Sequence, residues 1–134
     1  MFDRVIVGVV GTPQHKQTLF SLEERMAFLE ESVRPLANVQ IASFSSLVVE
    51  FAQEWNATAL VKGLRAVSDF EWEFQMNHLN KRLAPNIETV HLMADSRYSF
   101  ISSSGVREIA AFGGSVEDLV PPVVAEAFAA RLRA

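Results

Sequence analysis

The chain has 134 residues, of which 49% are hydrophobic, with a formal net charge of −4 and no cysteine. This length and apolar content suffice for one sizeable core, so we expect a single domain at 1–134. The acidic balance argues against a nucleic-acid-binding protein, and the lack of cysteine excludes disulfides and favours a reducing cytoplasm. No apolar run approaches the roughly 18 residues of a membrane span, and the start has no signal-peptide pattern.

Strand and helix patterns alternate along the chain. In chain order they predict a strand at 5–10, a helix from Ser21 to Pro35, a strand at 39–44, a helix at 47–55, a strand at 57–62, a helix at 69–83, a strand at 88–93, a helix at 103–113 and a terminal helix from Pro121 to about 132. The β-branched run at 5–10 is typical of a buried parallel strand. Ser21 and Glu24 form a capping box. This alternation predicts an α/β fold whose parallel sheet is covered on both faces.

Parallel sheets of this kind bind ligands beyond the carboxyl ends of their strands. The least ordinary segments of this chain each follow a predicted strand. They are the loops at 11–16, 44–47, 62–65 and 95–104. We therefore expect these loops to share one rim of the sheet.

Two turns have the composition of phosphate-binding sites. At 62–65, Gly63 lets backbone N–H groups approach a ligand, while Lys62 and Arg65 add positive charge on either side. At 98–108, three serines at 102–104 precede a helix, where they serve either as its cap or as an anion seat, with Arg107 one turn further on. Two such turns suggest a nucleotide or two phosphorylated ligands.

The long helix at 69–83 has two different faces. Its apolar face consists of Trp72, Met76, Leu79 and Leu83, and its polar stripe consists of Asp69, Glu73, Asn77 and Asn80. Such a polar stripe is usually a solvated face. After a phosphate-binding turn, it could also reach a nucleotide or a neighbouring subunit.

No metal-binding or phosphate-loop motif is present in the sequence. His15, His78 and His91 lack the spacing of metal ligands, and no carboxylate cluster accompanies them. Neither G-x-x-x-x-G-K-[ST] nor G-x-G-x-x-G occurs. We therefore expect no metal site held by the protein itself.

Several segments together resemble bacterial phosphopantetheine adenylyltransferases. The segments that agree with the family in order and spacing are 19–25, 62–71, 75–80, 99–104 and 113–121. The resemblance implies a Rossmann-like three-layer α/β fold and transfer of AMP from ATP to 4′-phosphopantetheine, giving dephospho-coenzyme A and pyrophosphate. It also implies Mg²⁺ with the ATP, coenzyme A or dephospho-coenzyme A as further ligands, and a homo-hexamer when the chain is complete.

The resemblance assigns site residues position by position. Lys16 matches the lysine that contacts the phosphates. His15 is the competing candidate for that position, because this loop is one residue longer than in the family. With Lys16 in that position, the catalytic cations are Lys16 and Arg65. Val48 falls in the pantetheine site, and Lys62, often arginine in the family, binds the acceptor phosphate. The ATP-contacting positions are Gly63, Leu64, Arg65, Glu73, Tyr98, Ser99, Phe100, Ile101, Ser102, Ser103 and Ser104.

One departure from the family concerns its first elements. The family begins with a strand and a glycine-rich loop whose Gly-His pair supplies a transition-state histidine, and nothing precedes Phe2 here except Met1. We therefore expect the first strand, that loop and the first helix to be missing, and none of His15, His78 and His91 matches the lost histidine. Two hypotheses follow: an adenylyltransferase whose start lies upstream, or an impaired or non-catalytic protein that keeps nucleotide binding and oligomerisation.

Overall fold

A computed structural model describes residues 1–11 and 17–133, with only the backbone of Arg133. Lys16 and its competitor His15 lie outside the described residues. The elements are β1 Val5–Val10, α1 Leu22–Val33, β2 Val39–Phe44, α2 Val48–Glu54, β3 Ala59–Leu64, α3 Val67–Leu83, β4 Glu88–Met93, α4 Ser103–Ala111 and α5 Pro122–Arg133. The predicted α/β alternation is confirmed. No helix among the described residues is both long and apolar enough to cross a membrane.

The chain divides into two compact units, of which unit 1 comprises Met1–Ser45 and Ile101–Ala134. Its strands β1 and β2 pair in parallel along their full length, from Val5 opposite Val39 to Val10 opposite Phe44. Its core contains Phe20, Val106, Ala110, Val116 and Phe128. The ring of Phe20 meets Phe28 and Phe128 edge-on, with centroids 5.0 and 5.1 Å away, a favourable geometry for aromatic side chains.

Unit 2 comprises Ser46–Phe100. Its strands β3 and β4 also pair in parallel, from Ala59 opposite Glu88 to Leu64 opposite Met93. Helix α2 contributes Val49 and Ala52 to a core that also contains Ala84 and Ile87. Unit 2 is therefore a β-α-β element with α2 packed beside it.

The described strands pair in parallel within each unit, as the sequence predicts. The described strands pair as two two-stranded sheets, β1 with β2 and β3 with β4. Each pair is joined by its own crossover helix, α1 or α3, so each ladder is complete within one β-α-β element. The predicted α/β fold with parallel strands is confirmed, consistent with a Rossmann-like nucleotidyltransferase fold.

Strand β3 begins and ends two residues later than predicted. Asn56 has a left-handed φ of 52° and ends the preceding helical turn, which delays the start of the strand. At the other end, Leu64 is only 6% exposed and pairs with Met93, so the strand continues through it. Lys62 and Gly63 consequently lie in the strand, and only Arg65 of the predicted turn lies beyond it.

Helix α3 turns its polar stripe inward, contrary to the solvated-face interpretation. Asn80 is 8% exposed, whereas Trp72, Leu79 and Leu83 on the apolar face are 62%, 52% and 56% exposed. The helix begins at Val67, two residues before the predicted start. The orientation places the carboxylates of its first turns beside the end of β3.

Candidate functional site

The loops that follow β3 and β4 begin side by side. The backbone N–H of Ala94 donates to the carbonyl oxygen of Leu64 at 2.8 Å, which joins the two strand ends. Residues 62–65 and 95–100 therefore meet at the carboxyl ends of two parallel strands, the usual ligand position in α/β folds. We call these two segments, with the polar stripe of α3, the β3–β4 rim.

Lys62 of the rim is held by a carboxylate of α3. Its Nζ lies 3.6 Å from Oε2 of Glu73, and the two side chains are 36% and 18% exposed. This contact joins two residues that the sequence assigned to different ligands, the acceptor phosphate and ATP. The ammonium group is therefore accessible to an anion while its partner is largely shielded from water.

Arg65 forms a denser contact with Asp69. Its Nε and its own backbone N–H both donate to Oδ2 of Asp69 at 3.1 Å, and Nη2 donates to Oδ1 at 3.5 Å. These hydrogen bonds, first from the guanidinium and then from the backbone, lower the pKa of Asp69 below its ordinary value of 3.8. The pair orients the guanidinium at the first turn of α3, where a negative side chain also interacts favourably with the helix dipole.

We expect the pair of Arg65 and Asp69 to make stability pH-dependent in the acid range. Because the folded pKa of Asp69 is depressed, the pair stabilises the fold above the unfolded pKa, and this contribution is lost as pH falls through the folded pKa. Thermal unfolding of wild type and Asp69→Asn measures the effect. The difference in Tm should be constant above the unfolded pKa of Asp69 and disappear as pH falls through its lowered folded pKa. A difference that persists unchanged to the lowest pH would contradict the pairing.

The loop after β4 presents two exposed aromatic rings. Tyr98 is 55% and Phe100 72% exposed, and the guanidinium carbon of Arg97 lies 5.4 Å from the centroid of the Tyr98 ring. Arg97 also donates to Asp95, which lowers the pKa of that carboxyl. Ser99 is turned into the loop, its Oγ donating to the carbonyl of Ser96 at 3.3 Å. The loop is thus ordered by its own hydrogen bonds while its rings remain accessible.

The serines at 102–104 belong to unit 1, where they begin α4. Ser102 is the N-cap, its Oγ accepting from the N–H of Gly105 at 3.1 Å and lying 3.3 Å from Oγ of Ser104. Arg107 donates to the carbonyl oxygens of Ser103 and Gln17. The capping interpretation is confirmed. An additional anion seat at these hydroxyls stays a prediction.

The apolar candidates have different surroundings. Leu64 is a core residue at 6% exposure, and Val48, the first residue of α2, packs against the core of unit 2. A Cβ on Gly63 would meet no atom of the described chain within 4 Å. The space above Gly63 is therefore open, which agrees with a position that a ligand approaches closely.

The structure brings two of the predicted site residues into contact, and it shows an ion-pair partner of Arg65 that the sequence analysis missed. Lys62 and Glu73 are in contact, whereas Asp69 was identified only as part of a polar stripe. Its four-residue spacing from Arg65 on a helix-initiating segment was the available signal. Within the described residues, no group of three or more His, Asp or Glu side chains could hold a metal ion.

Comparison with known proteins gives one family. The cytidylyltransferase-like profile matches residues 1–109. The phosphopantetheine adenylyltransferase of Herpetosiphon aurantiacus is 54% identical over 125 residues, which are 93% of this chain and 75% of that protein. The phosphopantetheine adenylyltransferase of Moorella thermoacetica is 52% identical over 124 residues, which are 92% of this chain and 77% of that protein. That of Alkaliphilus metalliredigens is 46% identical over 127 residues, which are 95% of this chain and 80% of that protein.

Proposed function

Since this chain belongs to the phosphopantetheine adenylyltransferase family, we propose that it transfers AMP from ATP to 4′-phosphopantetheine, giving dephospho-coenzyme A and pyrophosphate. The observation that supports this most directly is the 54% identity over 93% of the chain. The geometry of the rim agrees with it, because two accessible cations, Lys62 and Arg65, lie at the carboxyl end of β3. These relatives do not favour the non-catalytic alternative.

The reaction needs alignment and charge stabilisation from the protein. An oxygen of the acceptor phosphate attacks the α-phosphorus of ATP, and the bond to the bridging oxygen breaks, so that pyrophosphate leaves with the electron pair. Because the acceptor is already a nucleophile, no covalent enzyme intermediate is required. At about 4 Å and an effective dielectric constant near 20, one cation and one phosphate charge attract by roughly 4 kcal/mol before desolvation is subtracted.

Lys62 and Arg65 have different roles in this proposal. Lys62 binds the acceptor phosphate and Arg65 the phosphates of ATP, with Lys16 as a further phosphate contact. Before substrates arrive, Glu73 and Asp69 neutralise the two rim cations. An incoming phosphate replaces these carboxylates, or shares the cations with them, so the site avoids two unpaired positive charges when it is empty.

The remaining proposed contacts hold the nucleotide and the pantetheine arm. The exposed rings of Tyr98 and Phe100 suit stacking on the adenine, which contributes about 1–3 kcal/mol per base in comparable sites. Val48 borders the pantetheine arm. The other ATP contacts are Gly63, Leu64, Glu73, Ser99, Ile101, Ser102, Ser103 and Ser104. Mg²⁺ enters as part of the ATP complex, since it is usually bound through substrate phosphates.

A two-substrate assay tests the reaction. Purified protein is incubated with MgATP and 4′-phosphopantetheine, pyrophosphate release is followed continuously, and the adenylylated product is identified by mass. We expect release to require both substrates and to fall sharply when pantetheine without its phosphate replaces the acceptor. Absence of dephospho-coenzyme A, or equal turnover with an unrelated phosphorylated acceptor, would overturn the proposal.

The family resemblance implies a homo-hexamer, and the exposed apolar face of α3 supports an interface between copies. Trp72, Leu79 and Leu83 are each more than half exposed, and contiguous apolar surface of this kind usually marks an interaction site. We place the enzyme in the cytoplasm, because its sequence has no cysteine and cytosolic proteins generally lack disulfides.

Light scattering coupled to size-exclusion chromatography tests the assembly. We expect the wild type to elute at six times the 14.9 kDa chain mass, and Trp72→Glu to shift to smaller species because it places a charge in an apolar interface. Phe112→Glu is the matched control, since Phe112 is an 87% exposed aromatic residue outside α3. A wild-type monomer, or equal shifts in both variants, would contradict an interface on α3.

A further inference from the structure

His91 of β4 has a ring nitrogen that is shielded from water. Its Nε2 is a buried side-chain atom that has no hydrogen-bond partner among the residues that the structure describes. Buried polar atoms in folded proteins nearly always have such a partner. We therefore looked for a donor among the polar side chains on the same side of the sheet.

The register of β3 and β4 places Lys62 beside His91. The two strands pair in parallel with Lys62 directly opposite His91. Neighbouring strands lie about 4.8 Å apart, and side chains paired in this way stand on the same side of the sheet. Helix α3 covers that side, because Lys62 contacts Glu73 of this helix. The three side chains therefore share the space between the sheet and α3.

Lys62 has hydrogen-bond donors to spare. An ammonium group carries three N–H donors. Its distance of 3.6 Å from Oε2 of Glu73 exceeds the roughly 2.7–3.2 Å of an N–H···O hydrogen bond, so Glu73 attracts it by charge alone. The lysine stem is flexible, and the side chain is 36% exposed. The ammonium group can therefore turn to another acceptor.

His91 differs from Glu73 in the charge of its acceptor. A neutral imidazole accepts a hydrogen bond at its unprotonated nitrogen and does not repel a phosphate. A carboxylate beside the same phosphate does repel it, because both are negative. His91 can therefore hold the ammonium group of Lys62 while an anion is bound, whereas Glu73 opposes the anion.

We propose that His91 is a positioning residue for Lys62. Without an anion, the ammonium group lies beside Glu73. When an anion binds to Lys62, the ammonium group turns toward the sheet and donates one N–H to Nε2 of His91, which leaves its other donors for the anion. The inference deepens the proposed function, in which that anion is the acceptor phosphate, and its kinetic consequence rests on that function. His91 acts through Lys62 and does not itself contact substrate.

Histidine ¹⁵N NMR tests the hydrogen bond without turnover. At about pH 8, where an ordinary imidazole is neutral, we expect Nε2 of His91 to be the unprotonated nitrogen. In Glu73→Gln, which removes the competing charge, the Nε2 resonance should shift in the direction of an accepted hydrogen bond. Adding Lys62→Met to Glu73→Gln should abolish this shift. The His91 signals are identified by their absence from His91→Phe.

The unmutated protein supplies a second NMR measurement. Inorganic phosphate added to the wild type should shift the Nε2 resonance in the same direction, whereas chloride at equal ionic strength should leave it in place. A proton on Nε2 would overturn the inference. So would an Nε2 resonance that phosphate does not move, and this result needs no variant to fold.

The kinetic consequence is a change in acceptor binding. His91→Phe keeps a ring but has no acceptor, and we expect it to raise the KM for 4′-phosphopantetheine about three- to tenfold at unchanged kcat, the effect of losing one hydrogen bond. His91→Gln should restore KM, because its amide oxygen can replace Nε2 as the acceptor. His78→Phe is the matched control, since His78 is an exposed histidine of α3, and its KM should equal that of the wild type.

The outcomes separate this inference from the proposed function. A wild-type KM in His91→Phe, or a raised KM that His91→Gln does not restore, would overturn the positioning role while the proposed function stands. No turnover by the wild type with MgATP and 4′-phosphopantetheine would overturn the proposed function. The NMR measurements then decide by themselves whether Lys62 donates to His91.

Discussion

Arg65→Ala is expected to lower kcat/KM for ATP by about 10² to 10³, because it removes one oriented donor from the charge that develops on the leaving pyrophosphate. The guanidinium is held by Asp69 through Nε and Nη2, so its position is fixed before the nucleotide arrives. Steady-state kinetics with varied ATP and saturating acceptor measure the loss.

The effect of Arg65→Ala on stability should be much smaller. The Arg65 and Asp69 side chains are 41% and 27% exposed, and ion pairs in such contact with water contribute little to stability. Arg34→Ala is a suitable control, because it also removes an arginine from a surface ion pair, with Glu31. If Arg65→Ala lost activity only in proportion to a loss of folded protein, Arg65 would be a structural residue and its proposed role wrong.

Lys62→Ala is expected to raise the KM for 4′-phosphopantetheine by about 10- to 100-fold. A hydrogen bond to a charged group contributes about 1.5–3 kcal/mol, and this change removes the one that Lys62 would give to the acceptor phosphate. Lys62→Arg should restore binding, since a guanidinium can contact a phosphate through two donors. Kinetics with varied acceptor at saturating ATP measure both effects.

The acceptor itself supplies the control for Lys62. Pantetheine that lacks the phosphate has no nucleophile for this reaction, so it is used as a competitive inhibitor; its Ki should be the same in wild type and Lys62→Ala, because the interaction removed by the mutation is already absent. Lys81→Ala provides a matched protein control, since Lys81 is a 42% exposed lysine of the same unit that pairs with Glu88. A loss of affinity for unphosphorylated pantetheine as large as the loss for 4′-phosphopantetheine would show that Lys62 does not act on the phosphate.

Local sequence patterns determined much of the secondary structure. The strands at 5–10, 39–44 and 88–93 have the predicted bounds, and Ser21 and Glu24 form the predicted capping box. These features depend on residues within a few positions of one another, which is why periodicity and capping rules identify them. The family resemblance, which rests on the order and spacing of several such segments, is confirmed by relatives that are 46–54% identical.

Only the tertiary structure decided which groups meet. Periodicity identified the two faces of α3, yet packing turned the polar stripe with Asn80 inward and left Trp72 exposed. The contact of Lys62 with Glu73 joins a strand to a helix, and the bond from Arg131 to the carbonyl of Leu19 joins segments 112 positions apart. The sequence by itself therefore determined most element bounds and the family, and it predicted the residue types of the proposed site. Which face is covered, and which charge has which partner, depends on how distant segments pack, because burial and hydrogen bonding between them have no local pattern in the chain.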